Sequence, residues 1–372
     1  MRRALAFGLG LLFAGVASAW EAAPGVSVEL GYIGEFVRNF KPGLVDARKR
    51  TIYHDNLDLA LTLDFAAMGG PDTTLFVHGV RNHGGDPTGQ VIGDLQTASN
   101  IEAPDQTILY EAWIEQRFWD GQASVLVGLH DLNSEFYVSE YASLFLNSSF
   151  GIGPEISANV PTSIFPKPGL GARLRVQDEA GDALMLGAYD GDPTTRALRP
   201  KTEGWMFIGE AALVWTDLGQ PGVLKLGAWR HTADKPSPFA PGVVFRDVSG
   251  AYLILEQRFA SWRGGALGAF FQYGATQQDR NEVPRYVGGG LHLRGFIPGR
   301  PDDEFGVGVA RAEFQTAPGV RSAETALEIT IRISLLDGRL ALQPSWQRIR
   351  NAGGLPTNPT VDVGLMRFEV AI

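Results

Sequence analysis

The sequence predicts an all-β fold: a transmembrane antiparallel β-barrel of about 16 strands with one long loop folded inward as a constriction. Three observations support this. Segments of about ten residues alternate apolar and polar side chains with period two along nearly the whole chain. Tight Gly, Asp and Pro turns alternate with longer connections, as they do between the two ends of a membrane barrel. One connection, Leu132–Pro168, runs for roughly 35 residues with neither helical nor alternating periodicity, far longer than an ordinary loop.

Residues 1–19 read as an export signal. Arg2 and Arg3 give the basic start, Ala4 to Val16 the apolar core and Ala17-Ser18-Ala19 the small-residue cleavage site. That apolar run is too short to span a bilayer as a retained anchor. Residues 20–372 are then expected to form one barrel domain, with no linker or composition shift dividing it. The chain has no cysteine, which removes disulfides, thiol catalysis and the usual structural zinc sites. A formal charge of −9 on an exported chain does not suit a nucleic-acid binder. No later apolar run could be a membrane helix, yet 44% of the residues are hydrophobic and mean hydropathy is −0.03. One-for-one interleaving of apolar and polar residues gives such an average. A soluble β-protein would give it too, so the spacing has to decide.

The strand pattern begins at Val26–Arg38 and is clearer at Tyr53–Phe65, where Leu57, Leu59, Leu61 and Leu63 share one face. Asn56, Asp58, Thr62 and Asp64 share the other. A Gly69-Gly70-Pro71-Asp72 turn leads to Thr73–Arg81, and a long polar segment from Asn82 leads to Thr107–Phe118. Trp119-Asp120-Gly121-Gln122 turns the chain into Ala123–His130, which enters the long central loop. Beyond it come Gly169–Gln177 and Ala183–Tyr189, then Glu203–Trp215 and Val223–Thr232, each pair joined by a Gly-containing turn. The same spacing gives Val248–Phe259 with Ala266–Gly274, Tyr286–Phe296 with Phe305–Gln315, and Glu324–Leu335 with Leu340–Arg350. Thr360–Ile372 closes the set.

The faces argue for a membrane. Thr325, Leu327, Ile329, Ile331 and Ile333 alternate with Glu324, Glu328, Thr330, Arg332 and Ser334. A soluble barrel would bury the apolar face and fill its interior, but sixteen strands enclose too much room for that. Phe368, Val370 and Ile372 alternate up to the carboxyl end, in the manner of a barrel-assembly signal, although Ile372 is not the usual terminal aromatic. Phe136, Tyr137, Tyr141, Phe145 and Phe150 give the central loop apolar surface to pack inside the wall rather than in solvent.

Inward parity selects candidate channel-lining residues. In Thr107–Phe118 it groups Glu111, Trp113, Glu115 and Arg117 away from Ile108, Tyr110, Ala112 and Ile114. Arg173 and Arg175 share a face, as do Glu256 and Arg258, His292 and Arg294, and Gln343, Ser345 and Gln347. Asp131 and Glu135, where the loop begins, complete the expected constriction: Glu111, Trp113, Glu115, Arg117, Asp131, Glu135, Arg173 and Arg175. Lumen residues are polar simply because they touch water, so no single one of them is a site. Acids and bases together on neighbouring strands create a transverse field and many hydrogen-bonding groups, which suits hydroxyl-rich neutral solutes. An indole among carboxylates and guanidiniums suits a sugar ring. Catalysis gets little support, because Gly-x-Ser-x-Gly and His-Glu-x-x-His motifs are both missing. Gly288-Gly289-Gly290 lies inside a strand pattern and points to close backbone approach rather than a phosphate loop.

Several segments, in order, resemble the carbohydrate-selective porins of the OprB type. They are Ser99-Asn100-Ile101-Glu102-Ala103, Tyr110-Glu111-Ala112-Trp113-Ile114-Glu115-Gln116 and Gly128-Leu129-His130-Asp131-Leu132-Asn133-Ser134-Glu135-Phe136. Phe145-Leu146-Asn147-Ser148-Ser149-Phe150-Gly151, Pro168-Gly169-Leu170-Gly171, Ala188-Tyr189-Asp190-Gly191 and Leu342-Gln343-Pro344-Ser345-Trp346-Gln347 follow. The resemblance runs from about residue 26 to the end. It implies a channel in the outer membrane of a Gram-negative bacterium for passive carbohydrate uptake, such as of monosaccharides like glucose, with no cofactor and no energy coupling. Its expected partners are sugars in the lumen and outer-membrane lipid. Monomer and trimer both fit the sequence. A non-specific general porin and a barrel-scaffolded enzyme are the alternative readings.

Overall fold

The structure is a computed structural model that describes residues 20–216 and 219–371. The expected signal, residues 1–19, and the terminal Ile372 lie outside the described residues. Among the described residues, sixteen long strands form the wall, and we number them in chain order. They are β1 (Val26–Asn39), β2 (Thr51–Asp64), β3 (Thr73–Gly84), β4 (Gln106–Phe118), β5 (Ala123–His130) and β6 (Gly169–Gln177). Next come β7 (Ala183–Asp190), β8 (Trp205–Trp215), β9 (Gly222–His231), β10 (Val248–Trp262) and β11 (Gly265–Thr276). The last five are β12 (Arg285–Arg294), β13 (Glu304–Ala317), β14 (Val320–Leu335), β15 (Leu340–Arg350) and β16 (Val361–Ala371).

Each strand pairs antiparallel with its neighbours in sequence, and β16 closes on β1 through Val363↔Asn39 to Ala371↔Gly31. Closure leaves no unpaired edge among the described strands of the wall, as a hydrocarbon surround requires. One extra strand, Trp20–Ala23, pairs with the start of β1. A small ladder of Lys235–Pro236 with Val244–Phe245 lies in the connection after β9. Every expected segment forms a strand. The main boundary difference is at β13–β14, where both strands run on to a tight turn at Pro318-Gly319, with Gly319 at φ 84°.

Side-chain parity follows the register. Leu57, Leu59, Ile114, Val127, Leu184, Leu226 and Ile329 point outward and are exposed, which is the surface a bilayer covers. Connections at one end are short, such as Trp119–Gln122 and Arg263-Gly264, while residues 85–105, 131–168 and 232–247 make long ones at the other. In β4 the parity expectation fails at Ile108 and Tyr110. The pairs His78↔Glu111 and Gly79↔Leu109 leave Tyr110 as the extra residue of a β-bulge. Leu109 therefore faces lipid, while Ile108 and Tyr110 join Glu111, Trp113, Glu115 and Arg117 on the inner side, and Tyr110 is fully buried.

The central loop packs against the inner wall in two apolar clusters. Phe136, Tyr137, Ile152 and Ile156 lie with Tyr189, Met206, Ile208, Trp229 and Tyr252 of β7 to β10. Leu144, Phe145, Leu146 and Phe150 lie with Phe270, Tyr286, Ala310, Ala326 and Leu365 of β11 to β16. Wall glycines make this approach fit. A Cβ on Gly308 would come within 2.9 Å of both the Phe145 and Phe150 rings. In β12 the Gly288 and Gly290 positions similarly abut Tyr286, Phe270 and the neighbouring backbone. The segment after β3, expected only as a polar connection, also folds inward: Val91, Ile92, Ala98 and Ile101 are buried. It is tied to the central loop by Asn100 N–H to Leu146 O (2.8 Å) and Ser148 N–H to Thr97 O (3.0 Å).

Candidate channel constriction

A polypeptide loop inside a polar lumen brings backbone N–H groups that need acceptors once water is displaced. The wall supplies them as isolated, buried carboxylates. Glu210 on β8 accepts from Tyr137 N–H at 2.9 Å and Tyr252 Oη at 2.7 Å. Glu256 on β10 accepts from Tyr141 N–H at 2.8 Å and Ser139 Oγ at 2.7 Å. Glu328 on β14 accepts from Leu146 N–H (2.9 Å), Asn147 N–H (3.0 Å) and Ser345 Oγ (2.9 Å). Glu324, two inward positions further along, holds Leu95, Gln96 and Gly353 N–H at 2.7, 2.8 and 2.7 Å. Wall amides bind the loop carbonyls: Gln272 donates to Phe150 O (2.9 Å) and Gln343 to Leu144 O (2.7 Å). Lys225 on β9 donates to Val138 O at 2.6 Å. The loop is thus fastened at points spread around the barrel.

All eight residues expected at the constriction fall on β4, β6 and the loop start, but they do different things. Glu111 is buried and accepts from Asp131 N–H at 3.0 Å, so it belongs to the anchor set. Its other oxygen lies 3.8 Å from His78 Nδ1, and His78 Nε2 is 2.9 Å from Asp58 Oδ1. Asp131 accepts from the Tyr110 hydroxyl and, at 2.8 Å, from Asn133 N–H. Burial, with the Glu111 carboxylate beside it, pushes the Asp131 carboxyl up to about 7. Trp113 is only 8% exposed and its ring is stacked on Phe76 at 5.0 Å, so one face is already covered.

Of the other five, Glu115, Arg117, Glu135 and Arg173 form a charged network. The Arg173 guanidinium bridges the wall carboxylate Glu115 (2.9 Å) and the loop carboxylate Glu135 (2.5 Å), and also donates to Ser124 Oγ (2.5 Å). Arg117 reaches Glu115 at 3.4 Å, Asp72 at 2.8 Å and Thr74 at 3.1 Å. Arg175 donates to Gln177 at 2.8 Å. These groups lie toward the short-turn ends of β4 and β6, on one side of the loop.

A second charged set occupies the far arc of the same half. Arg332 on β14 lies 2.8 Å from Glu369 and 3.8 Å from Glu304, and His292 Nε2 lies 2.6 Å from Glu304. Arg367 on β16 pairs with Glu35 at 2.9 Å and donates to Asn100 at 2.7 Å. Sequence reasoning noted Arg332 only as a polar wall residue and missed Glu35, Glu304, Arg367 and Glu369. Their inward parity was the available signal. The anchors Glu210 and Glu324 were missed as anchors too, although Glu210 is an acid among apolar inward neighbours, Met206, Ile208 and Ala212.

Comparison with known proteins places this barrel. The family model "Carbohydrate-selective porin, OprB family" matches residues 48–371. Porin B of Pseudomonas aeruginosa is 24% identical over 323 residues, covering 77% of this chain and 70% of that protein. The high-pH structure of Pseudomonas putida OprB superposes with a TM-score of 0.83 at 18% identity, covering 94% of each chain. An anion-selective porin from Comamonas acidovorans gives 0.57 at 13% identity, covering 93% of this chain and 100% of that one. The trimer form of OmpT from Vibrio cholerae gives 0.56 at 8% identity, covering 94% and 100%. At these identities the structural likenesses establish the barrel fold.

Proposed function

Because the chain belongs to the OprB family of carbohydrate-selective porins, an outer-membrane channel rather than an enzyme, we propose that monosaccharides such as glucose diffuse through the lumen half lined by Arg117, Arg173, Arg175, Glu115 and Glu135. The single observation that carries this is the Arg173 bridge between wall Glu115 and loop Glu135, opposite the Arg332–Glu369 and Arg367–Glu35 pairs. Guanidinium–carboxylate pairs present donors and acceptors side by side, and vicinal hydroxyls can bridge both. Paired charges of both signs also leave less net field for a solute ion to exploit than a ring of one sign would. Glu111, Asp131 and Trp113 support this lining from behind, by fixing the loop start against β4. Residues 1–19 act as a cleaved export signal and residues 20–372 as the barrel domain. The intact mass of protein purified from outer membrane tests this, with Trp20 as the expected first residue.

Planar-bilayer current measured during a glucose titration tests the path. Saturable block is expected, and the double variant Glu115→Gln, Glu135→Gln, at the two carboxylates that Arg173 bridges, should weaken it and shift ion selectivity while heat-modifiable migration of the barrel is kept. Unchanged block and selectivity would move the constriction elsewhere.

A further inference from the structure

The outer wall carries a charged feature that sugar passage does not use. Arg311 on β13 and Arg350 on β15 flank Thr325 of β14 in one cross-strand row, Arg311↔Thr325↔Arg350. Thr325 shares the lipid-facing parity of Leu327 and Ile329, so both guanidiniums leave the wall on its outer side. Arg311 donates to Thr325 Oγ1 at 3.1 Å, and both arginines are exposed, with no ion-pair partner among the described residues. Arg348 stands two residues below Arg350, beside Asp362 at 3.5 Å, an acid that Lys41 also engages at 2.7 Å.

Two guanidiniums on one arc, Arg311 and Arg350, repel one another unless an anion lies between them, whereas Arg348 already has the Asp362 carboxylate beside it. They sit at the long-loop end, which in such barrels is extracellular, and directly below them the wall is apolar: Val309, Leu327, Ile329 and Trp346. We infer that this arc binds the phosphorylated acyl-saccharide of the outer leaflet, with a phosphate held between Arg311 and Arg350 and acyl chains lying on the wall beneath. Guanidinium forks match phosphate oxygens in pairs, and Arg348, held beside Asp362, borders the lower edge. A free phosphate or a sugar in transit would find the same groups but not the adjoining apolar surface.

Native mass spectrometry of the full barrel in detergent, titrated with diphosphorylated lipid A and with its fully dephosphorylated form, tests the inference. The diphosphorylated lipid should bind more tightly. The double variant Arg311→Gln, Arg350→Gln should weaken it about 30-fold, from roughly five-fold for each base. Arg311→Lys with Arg350→Lys, which keeps the charge but loses the paired fork, should bind more tightly than the Gln variant and more weakly than the native barrel, and Arg263→Gln at the short-turn end should change nothing. Excess inorganic phosphate should not displace the lipid. Equal binding of the two lipids, or an unaffected Gln variant, overturns the inference. If the double Gln variant does not migrate as a folded barrel, Arg350→Gln alone carries the same comparison, with a loss of about five-fold expected and no loss overturning it.

Discussion

Glu328 gives the sharpest test of how the central loop is held. Its side chain is fully buried on β14. One carboxylate oxygen accepts from Leu146 N–H and Ser345 Oγ, both at 2.9 Å, and the other from Asn147 N–H at 3.0 Å. Glu328→Gln keeps the shape but replaces one acceptor oxygen with an NH2 group. With the amide oxygen at Oε1, Asn147 N–H loses its partner and faces a second donor. Leaving a buried N–H unpaired costs about 1–3 kcal/mol. Relief of carboxylate desolvation acts the other way, but that carboxylate has three donors in place, so the lost bond should dominate. At about 1.4 kcal/mol per factor of ten, local opening should become roughly 5- to 150-fold more frequent. Hydrogen exchange on the folded barrel reads this directly. Leu146 and Asn147 should exchange faster, the amides of β14 and β15 should not, and single-channel conductance should rise or become noisier. Exchange at both residues indistinguishable from the native rate, with unchanged conductance, would refute the anchoring role.

Two further outcomes follow from the same packing. Burial pushes the Glu155 carboxyl up to about 7 from an ordinary 4.5, so the docked loop holds a proton that a detached loop releases. Docking is then strongest at low pH, weakens as pH rises from about 4.5 to about 7 and is level above that. In Glu155→Gln, hydrogen exchange around residues 152–157, corrected for intrinsic rates, should lose this dependence, while the similar step from Asp131 persists near residue 131. Gly308→Val places a Cβ 2.9 Å from the Phe145 and Phe150 rings, an overpacking cost of about 1–3 kcal/mol that should displace the loop and raise conductance. Gly79→Val, whose Cβ meets nothing nearer than 3.8 Å, should leave conductance unchanged.

The wall was legible because period two and turn residues are local signals, and both survive in every strand from Val26 to Ala371. The bulge at Tyr110 was not, because an extra residue in one strand shows only in the pairing with β3. The inward course of the central loop could be read from its aromatics. The segment at residues 85–105 gave no such warning, since its few apolar residues are spread among Gly, Asp and Gln. Parity placed Glu111, Glu115 and Arg173 toward the lumen but could not say that Glu111 takes a loop N–H while Arg173 clamps Glu135. That distinction depends on where the loop comes to rest, which no strand pattern encodes.

The central claim is that a loop fixed inside a charge-paired lumen makes this barrel a path for small neutral sugars. Liposome swelling tests it most directly, with monosaccharides compared against anions and zwitterions of similar size and against larger oligosaccharides. Fast entry of monosaccharides, slower entry of the similarly sized charged solutes and exclusion of the oligosaccharides is the predicted result. Equal rates for all solutes of one size would contradict it.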